Sequence, residues 1–209
     1  MKIANMPEWG SLSATNPILA SIPKQLQVVA HLVEASAGET IARIGQRPRS
    51  MLYVLSGEVR LIRRLRGGAE IVLQRSQSGF IAEASLESLK YHCNIIAAAS
   101  SRLLRFPIPA FSAALELEYD FRKAWLSLLA KEIQKLRVQC ERLSLKSARE
   151  RILHYLKAEG TNGEIKLLGS RKAWAAELGL THEALYRSLA RLKREGVISL
   201  NVASIRLQP

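Results

Sequence analysis

Aspartate is almost missing from this chain. Asp120 is the one example in 209 residues, and it stands just before a predicted helix. Paired-Asp catalysis, an Asp-rich metal loop and a Ser-His-Asp set are therefore not expected. Cysteine is nearly as scarce. Cys93 and Cys140 are too few for a disulfide framework, make no Cys-x-x-Cys, and cannot supply the four ligands of an iron–sulfur cluster. No phosphate loop of the Gly-Lys-Ser/Thr type occurs. No apolar run approaches the ~20 residues of a membrane span. The N-terminal MKIANMPEWG lacks the apolar core of a secretion signal. Together these absences predict a soluble cytoplasmic protein in a reducing compartment, with no membrane association, no metal site and no enzymatic activity.

What the chain has in excess is positive charge. It holds 31 Lys and Arg against 18 Asp and Glu, a net charge of +13, with 48% apolar residues to build a core. Residues 145–209 carry 12 basic against 6 acidic side chains, and residues 1–144 carry 19 against 12. The C-terminal third is thus about twice as dense in positive charge. Such a balance favours a polyanionic partner, although a solvated basic surface gives the same count.

The pattern of residues changes twice along the chain. Residues 1–36 read as loosely helical, punctuated by Pro7, Pro17 and Pro23. From Gly38 to Pro107, short β-type runs alternate with turns: Thr40–Ile44, Met51–Leu55, Gly57–Leu65, Glu70–Gln74, Asn94–Ala97 and Ser101–Phe106. Such spacing predicts a β-sandwich or barrel, with Gly67-Gly68 as a two-residue hairpin turn. After Pro107 the chain becomes helical. Leu126, Leu129, Ile133, Leu136, Cys140 and Leu143 then recur at spacings of 3 and 4, the seam of a heptad. A seam this narrow predicts pairing with a second copy; a helix laid on its own β-domain is the other way to cover it. A hinge is expected at Leu145–Ala148, a helix to Ala158, and a strand at Glu164–Leu168.

Ser170–Leu200, SRKAWAAELGLTHEALYRSLARLKREGVISL, reads as two short helices joined at Gly179-Leu180 and ended at Gly196. This is a helix-turn-helix pattern, and strands at Val197–Leu200 and Ser204–Leu207 would add a wing. Ser170 and Thr181 are suited to cap the two helices. Leu185, Leu189 and Leu192 would bury one face of the second helix. That leaves His182, Glu183, Tyr186 and Arg187 on the exposed turns that reach base edges in a major groove of double-stranded DNA. Arg187 suits a guanine and Glu183 a cytosine amino group. An exposed Glu183–Arg187 ion pair is the plainer alternative. Ser170, Arg171, Lys172, Thr181 and Arg191 are expected at phosphates, where they add affinity without sequence choice, and Lys193 and Arg194 are expected to act in the same way.

The order of β-roll, long helix and winged helix-turn-helix resembles the catabolite activator/fumarate-nitrate regulator (CRP/FNR) family of bacterial transcription factors over nearly the whole chain. LYVLSGEVRLI at Leu52–Ile62 is similar to the family's β-roll signature, and GFIAEASL at Gly79–Leu86 to its phosphate-binding cassette. The resemblance implies an α+β fold with three parts. These are a cyclic-nucleotide-binding-like jelly roll over 1–108, a dimerisation helix over 109–145, and a DNA-binding winged helix-turn-helix over 146–209. It implies a homodimer reading a palindrome, with RNA polymerase as a further partner. It also implies that Glu183 and Arg187 read a G·C-containing core, while Tyr186 replaces a smaller residue.

The same resemblance marks what the effector pocket has lost. Glu83 stands where the family's ribose-binding Glu does, but the Gly before it is Ala82. The Arg-Ser pair that neutralises a cyclic phosphate is represented by His92-Cys93, and Leu136 replaces a Thr that touches adenine. Control by cyclic AMP is not expected, and no cofactor is predicted. Haem remains open, because four histidines are available. Cys140 or Cys93, expected near the seam, could serve as a redox trigger. Two alternatives stay open: a regulatory subunit acting through a protein partner, and a redox- or haem-sensing member of the family.

Overall fold

The computed structural model describes residues 2–3, 7–64, 70–166, 170–201 and 204–208. In chain order, the N-terminal elements are β1 (Lys2–Ile3), α1 (Trp9–Thr15), α2 (Pro17–Ala20), α3 (Lys24–Val28) and β2 (His31–Ala35). Then follow β3 (Thr40–Ala42), β4 (Ser50–Ser56), β5 (Val59–Arg64), β6 (Glu70–Ser76), β7 (Gly79–Ile81), β8 (Asn94–Ala97) and β9 (Ser101–Pro107). The helices α4 (Ile108–Leu117), α5 (Tyr119–Ser144) and α6 (Ala148–Ala158) come next. The chain closes with β10 (Glu164–Lys166), α7 (Arg171–Glu177), α8 (His182–Arg194), β11 (Ile198–Leu200) and β12 (Ser204–Leu207). It forms two compact units, Met1–Lys131 and Glu132–Pro209, divided within α5.

The first unit is a sandwich of two antiparallel sheets, ordered β1-β2-β9-β4-β7 and β3-β8-β5-β6. The five-stranded sheet is covered on both faces. Met51, Tyr53, Leu104 and Phe106 face a core shared with the helices, while Leu52, Val54 and Leu103 face the core between the sheets. Strands buried on both sides read as continuous apolar runs rather than alternating ones. This explains one correction. Residues 1–36 are not helical throughout, because His31–Ala35 forms β2, with Leu32 in one core and Val33 and Ala35 in the other. Lys2–Ile3 pairs beside it as β1. Gly79–Ile81, within the cassette, is also a strand. Gly67-Gly68 and Leu168 lie outside the described residues.

α5 begins as a helix laid on its own β-domain. Phe121 and Trp125 are buried in the helix-side core and Leu128 and Leu129 pack against it. Further along, Ile133 and Leu136 are each about half exposed, as is Leu126, and Cys140 is exposed. Leu129, expected in the seam, is therefore partly committed to its own domain, since the i, i+4, i+8 row from Phe121 carries it onto the sheet.

Gly57 makes the turn between β4 and β5 with φ of +89°. A Cβ there would lie 2.3 Å from the Ser100 carbonyl oxygen and 2.6 Å from Ser101 Cα. The next residue, Glu58, is buried, and its amide donates to the Ser101 hydroxyl at 3.0 Å. Gly57→Ala combines an unfavourable φ with a backbone clash, and should destabilise the first unit by about 3 kcal/mol. Urea unfolding followed by Trp fluorescence measures the loss.

Candidate nucleic-acid interface

The second unit is built on three helices against a small sheet ordered β10-β12-β11. Its core holds Ile152, Leu156, Trp174, Leu178, Leu185, Leu189, Leu192, Ile198 and Ile205. Ser170 caps α7, its hydroxyl accepting from the Ala173 amide at 3.2 Å, and Thr181 caps α8 in the same way through Ala184 at 3.2 Å. Such caps contribute about 1 kcal/mol each. Both helices end in a glycine with positive φ. At α7, Gly179 N donates to Ala176 O and Leu180 N to Ala175 O; at α8, Gly196 N donates to Lys193 O and Val197 N to Leu192 O. These paired bonds are Schellman motifs, and the first makes the tight corner between the two helices.

Leu185, Leu189 and Leu192 are buried, so the opposite face of α8 is fixed outward. His182, Glu183, Tyr186 and Arg187 are all exposed on its first two turns. The Glu183–Arg187 ion pair, the plainer alternative to base contact, does not form among the described residues. The Glu183 carboxyl is held below the usual carboxylate range first by its own backbone N–H, then by the Thr181 hydroxyl, with His182 and Arg187 adding weaker attraction. The short link to the cap wins over the longer reach to Arg187. Arg187 makes no hydrogen bond or ion pair among the described residues. Tyr186 is flanked by the His182 ring, centroids 4.5 Å apart, and by the Arg171 guanidinium 5.3 Å from its ring centre. Arg171, expected at a phosphate, is thus drawn over a neighbour on the exposed face of α8. Lys172 is exposed, and Arg191 is paired with Glu195 at 2.8 Å.

Two arginines that the sequence did not single out organise this unit. Arg151 on α6 donates to four carbonyls: Nε to Leu145 at 3.0 Å, Nη2 to Leu143 at 3.2 Å, and Nη1 to Gly179 at 3.0 Å and Leu178 at 3.3 Å. It stitches the end of α5 to the corner of the helix-turn-helix. Leu143, expected in the seam, sits over that corner too, its Cδ2 2.8 Å from where a Gly179 Cβ would stand. Leu145–Ala148 is consequently not a loose hinge. Ser147 and Glu150 close it with a reciprocal capping box. Arg142, almost fully buried, stacks on Tyr155 at 4.5 Å and pairs with Glu159 at 2.7 Å. A basic residue among apolar neighbours is the weak sequence signal that could have flagged both.

In the first unit, the segment after β7 makes a sharp turn through Ala82, whose φ is +63°. Glu83 begins a 3-10 turn. Gln74 on β6 donates Nε2 to both Glu83 oxygens, at 3.1 and 2.9 Å, while its Oε1 accepts from the Ala82 amide at 3.2 Å. His92 is exposed. Cys93 is fully buried in the inter-sheet core, and burial pushes its thiol up, opposed in part by Arg63. Burial of this kind disfavours the thiolate, and Cys93 stands in the core between the sheets rather than at the seam.

Residues 32–118 match the cyclic nucleotide-binding domain family. The chain is similar in structure to FixK2 from Bradyrhizobium japonicum, with a TM-score of 0.71, 21% identity, and coverage of 87% of this chain and 93% of that one. It is similar to CLP of Xanthomonas campestris, a c-di-GMP responsive global regulator, with a TM-score of 0.69, 21% identity, and coverage of 91% and 99%. A CRP-family transcriptional regulator from Thermus thermophilus, TTHB099, gives 0.64, 21%, 85% and 92%. The chain has the fold of the CRP/FNR family. No curated protein sequence matches it. Among the described residues, no helix is long and apolar enough to cross a membrane.

On this fold the cassette's own side chains offer no permanent cation to a cyclic phosphate. Gly79–Leu86 contains no Lys or Arg, His92 is exposed and Cys93 is turned into the core. Glu83 is already held by Gln74.

Arg151→Ala removes four charge-assisted hydrogen bonds at once. It should destabilise the second unit by about 2 kcal/mol, lowering the temperature of its thermal transition in calorimetry while leaving that of the first unit in place.

Proposed function

We propose that this protein is a cytoplasmic, non-enzymatic transcription regulator that binds a palindromic DNA site as a homodimer and does not respond to cyclic AMP. The observation that carries the reading is α8. One face is buried by Leu185, Leu189 and Leu192, and the other presents His182, Glu183, Tyr186 and Arg187 on the turns that enter a major groove. Arg187 has no partner of its own among the described residues and can take a guanine bidentately. Glu183, ionised and oriented by Thr181, suits a cytosine amino group. Ser170 and Thr181 use their hydroxyls as caps, so their phosphate contacts would come from the backbone amides at the two helix N-termini. Lys172, Lys193 and Arg194 supply exposed positive charge for the backbone of the duplex.

Self-pairing through α5 accounts for the exposed Leu126, Ile133 and Leu136 and for Cys140. It would set the two α8 helices about one DNA turn (~34 Å) apart. The relatives FixK2, CLP and TTHB099 support a regulator, and RNA polymerase is its expected partner. The cassette supports the absence of cyclic AMP control, because neither Gly79–Leu86 nor His92-Cys93 supplies a permanent cation.

Selection of genomic fragments by the purified protein tests this reading. Enriched fragments should share a two-fold symmetric motif, and cyclic AMP should leave the enrichment unchanged. Arg187→Ala should cost about 1–3 kcal/mol of specific binding and relax the base choice at one position of each half-site. An unaltered motif with that variant rules out the assigned contact. Ile133→Glu with Leu136→Glu should give a monomer in sedimentation and reduce binding to the palindrome to that of a half-site.

A further inference from the structure

We propose that a cleft at one end of the β-sandwich, apart from the cassette, binds a small anion carrying two or more negative charges. The cleft encloses about 530 Å³ and is lined by Arg47, Arg49 and Arg105 together with Ser50, Tyr91 and Leu52. No residue of Gly79–Leu86 takes part in it. No Asp or Glu lines it either.

Arg105 is the telling residue. Along β9, Leu104 and Phe106 face the helix-side core, and Leu103 faces the core between the sheets. Alternation puts Arg105 on the inter-sheet side. Its cross-strand neighbour on β4 is Leu52, which belongs to the inter-sheet core. A guanidinium at such a position needs compensation, because half-buried charge without a partner is costly. Among the described residues its side chain has one hydrogen bond, Nε to the Ser50 hydroxyl at 2.8 Å. That bond fixes the plane of the guanidinium and leaves the two terminal nitrogens available.

Arg47 and Arg49 add two further guanidinium groups, and neither forms an ion pair with a described residue. Elsewhere in the same unit, Arg60 and Arg64 each have a carboxylate, Glu58 and Glu70. Three arginines around one concavity repel one another unless an anion sits between them. The rim that carries them is fixed rather than loose. Tyr91 N donates to Gln46 O at 2.8 Å, Gly45 N to Tyr91 O at 2.8 Å, and Ile108 N to Arg49 O at 3.1 Å. Pro48, between the two rim arginines, is buried. Planar guanidinium forks on a fixed frame match phosphate or carboxylate oxygens two at a time. The Tyr91 ring and Leu52 supply an apolar wall for the rest of the molecule. The shared chemistry is a polyphosphate or a polycarboxylate of small size.

Isothermal titration calorimetry on the full chain decides, with pyrophosphate, ATP and citrate as separate arms and acetate as the singly charged control. At least one of the three should bind saturably, once per protomer, and acetate should not. Which arm binds distinguishes a phosphate from a carboxylate ligand. Arg105→Gln, and separately Arg47→Gln with Arg49→Gln, should each weaken that binding about tenfold or more. The rim pair is exposed, so this second variant keeps the test valid if Arg105→Gln fails to fold. Anion binding here does not depend on the recognition helix, so Arg171→Gln with Arg187→Ala should bind the anion like the parent. Absence of saturable binding in all three arms at millimolar concentration overturns the proposal. So does binding that survives the cleft variants and disappears in the α8 variant.

Discussion

A single aromatic cluster holds the first unit together. The chain has only twelve aromatic residues, and seven of them (Trp9, Tyr53, Phe80, Phe106, Phe111, Phe121 and Trp125) gather on one face of the five-stranded sheet. Phe80 meets Trp125 edge-on at 5.0 Å and Tyr53 at 5.0 Å, while Phe111 meets Trp125 at 5.0 Å and Phe121 at 5.3 Å. Such pairs are worth about 0.5–1.5 kcal/mol each beyond the area they bury. The cluster joins β7, α4 and the first turns of α5 into one packed body. Because Phe80 is two residues from Ala82, the position of the cassette and the direction in which α5 leaves the sheet are fixed by the same rings.

Most of the fold was legible in the sequence, and the exceptions share a cause. The inner strands of the β-roll and the helix-turn-helix were readable because glycine turns and caps are local signals. Gly57, Thr181, Gly179 and Gly196 act through their own backbone and immediate neighbours. β2 was missed because a strand buried on both faces loses the alternation that identifies it. The roles of Gln74, Arg142 and Arg151 were missed for a different reason. Each acts on residues many positions away, and nothing in a linear pattern tells a riveting arginine from a solvated one. The candidate reading face was legible in position, but not in detail. Glu183 faces its cap rather than Arg187, and Tyr186 lies between His182 and Arg171.

The distribution of charge is sharper in three dimensions than in composition. Of the basic residues in 145–209, Arg149 and Arg191 share Glu195, and Arg151 is spent on backbone carbonyls. The charge left without a partner among the described residues is smaller than the count suggests and includes Lys172, Arg187, Lys193 and Arg194 on α7 and α8. In the β-roll the reverse holds. A unit with a modest excess of charge concentrates three arginines, none of them in an ion pair among the described residues, around one concavity. Net charge alone would have directed attention to the wrong third of the chain for that feature.

The four carbonyls held by Arg151 also bear on how the candidate reading surface is carried. With Leu143, Leu145, Leu178 and Gly179 gripped by one side chain, the last turn of α5 and the corner before α8 cannot slip past each other without losing several bonds together. The end of the helix then behaves as a crank rather than a cable. Within the second unit, the last turn of α5, the corner at Gly179 and the start of α8, with His182 and Arg187, are therefore held as one piece.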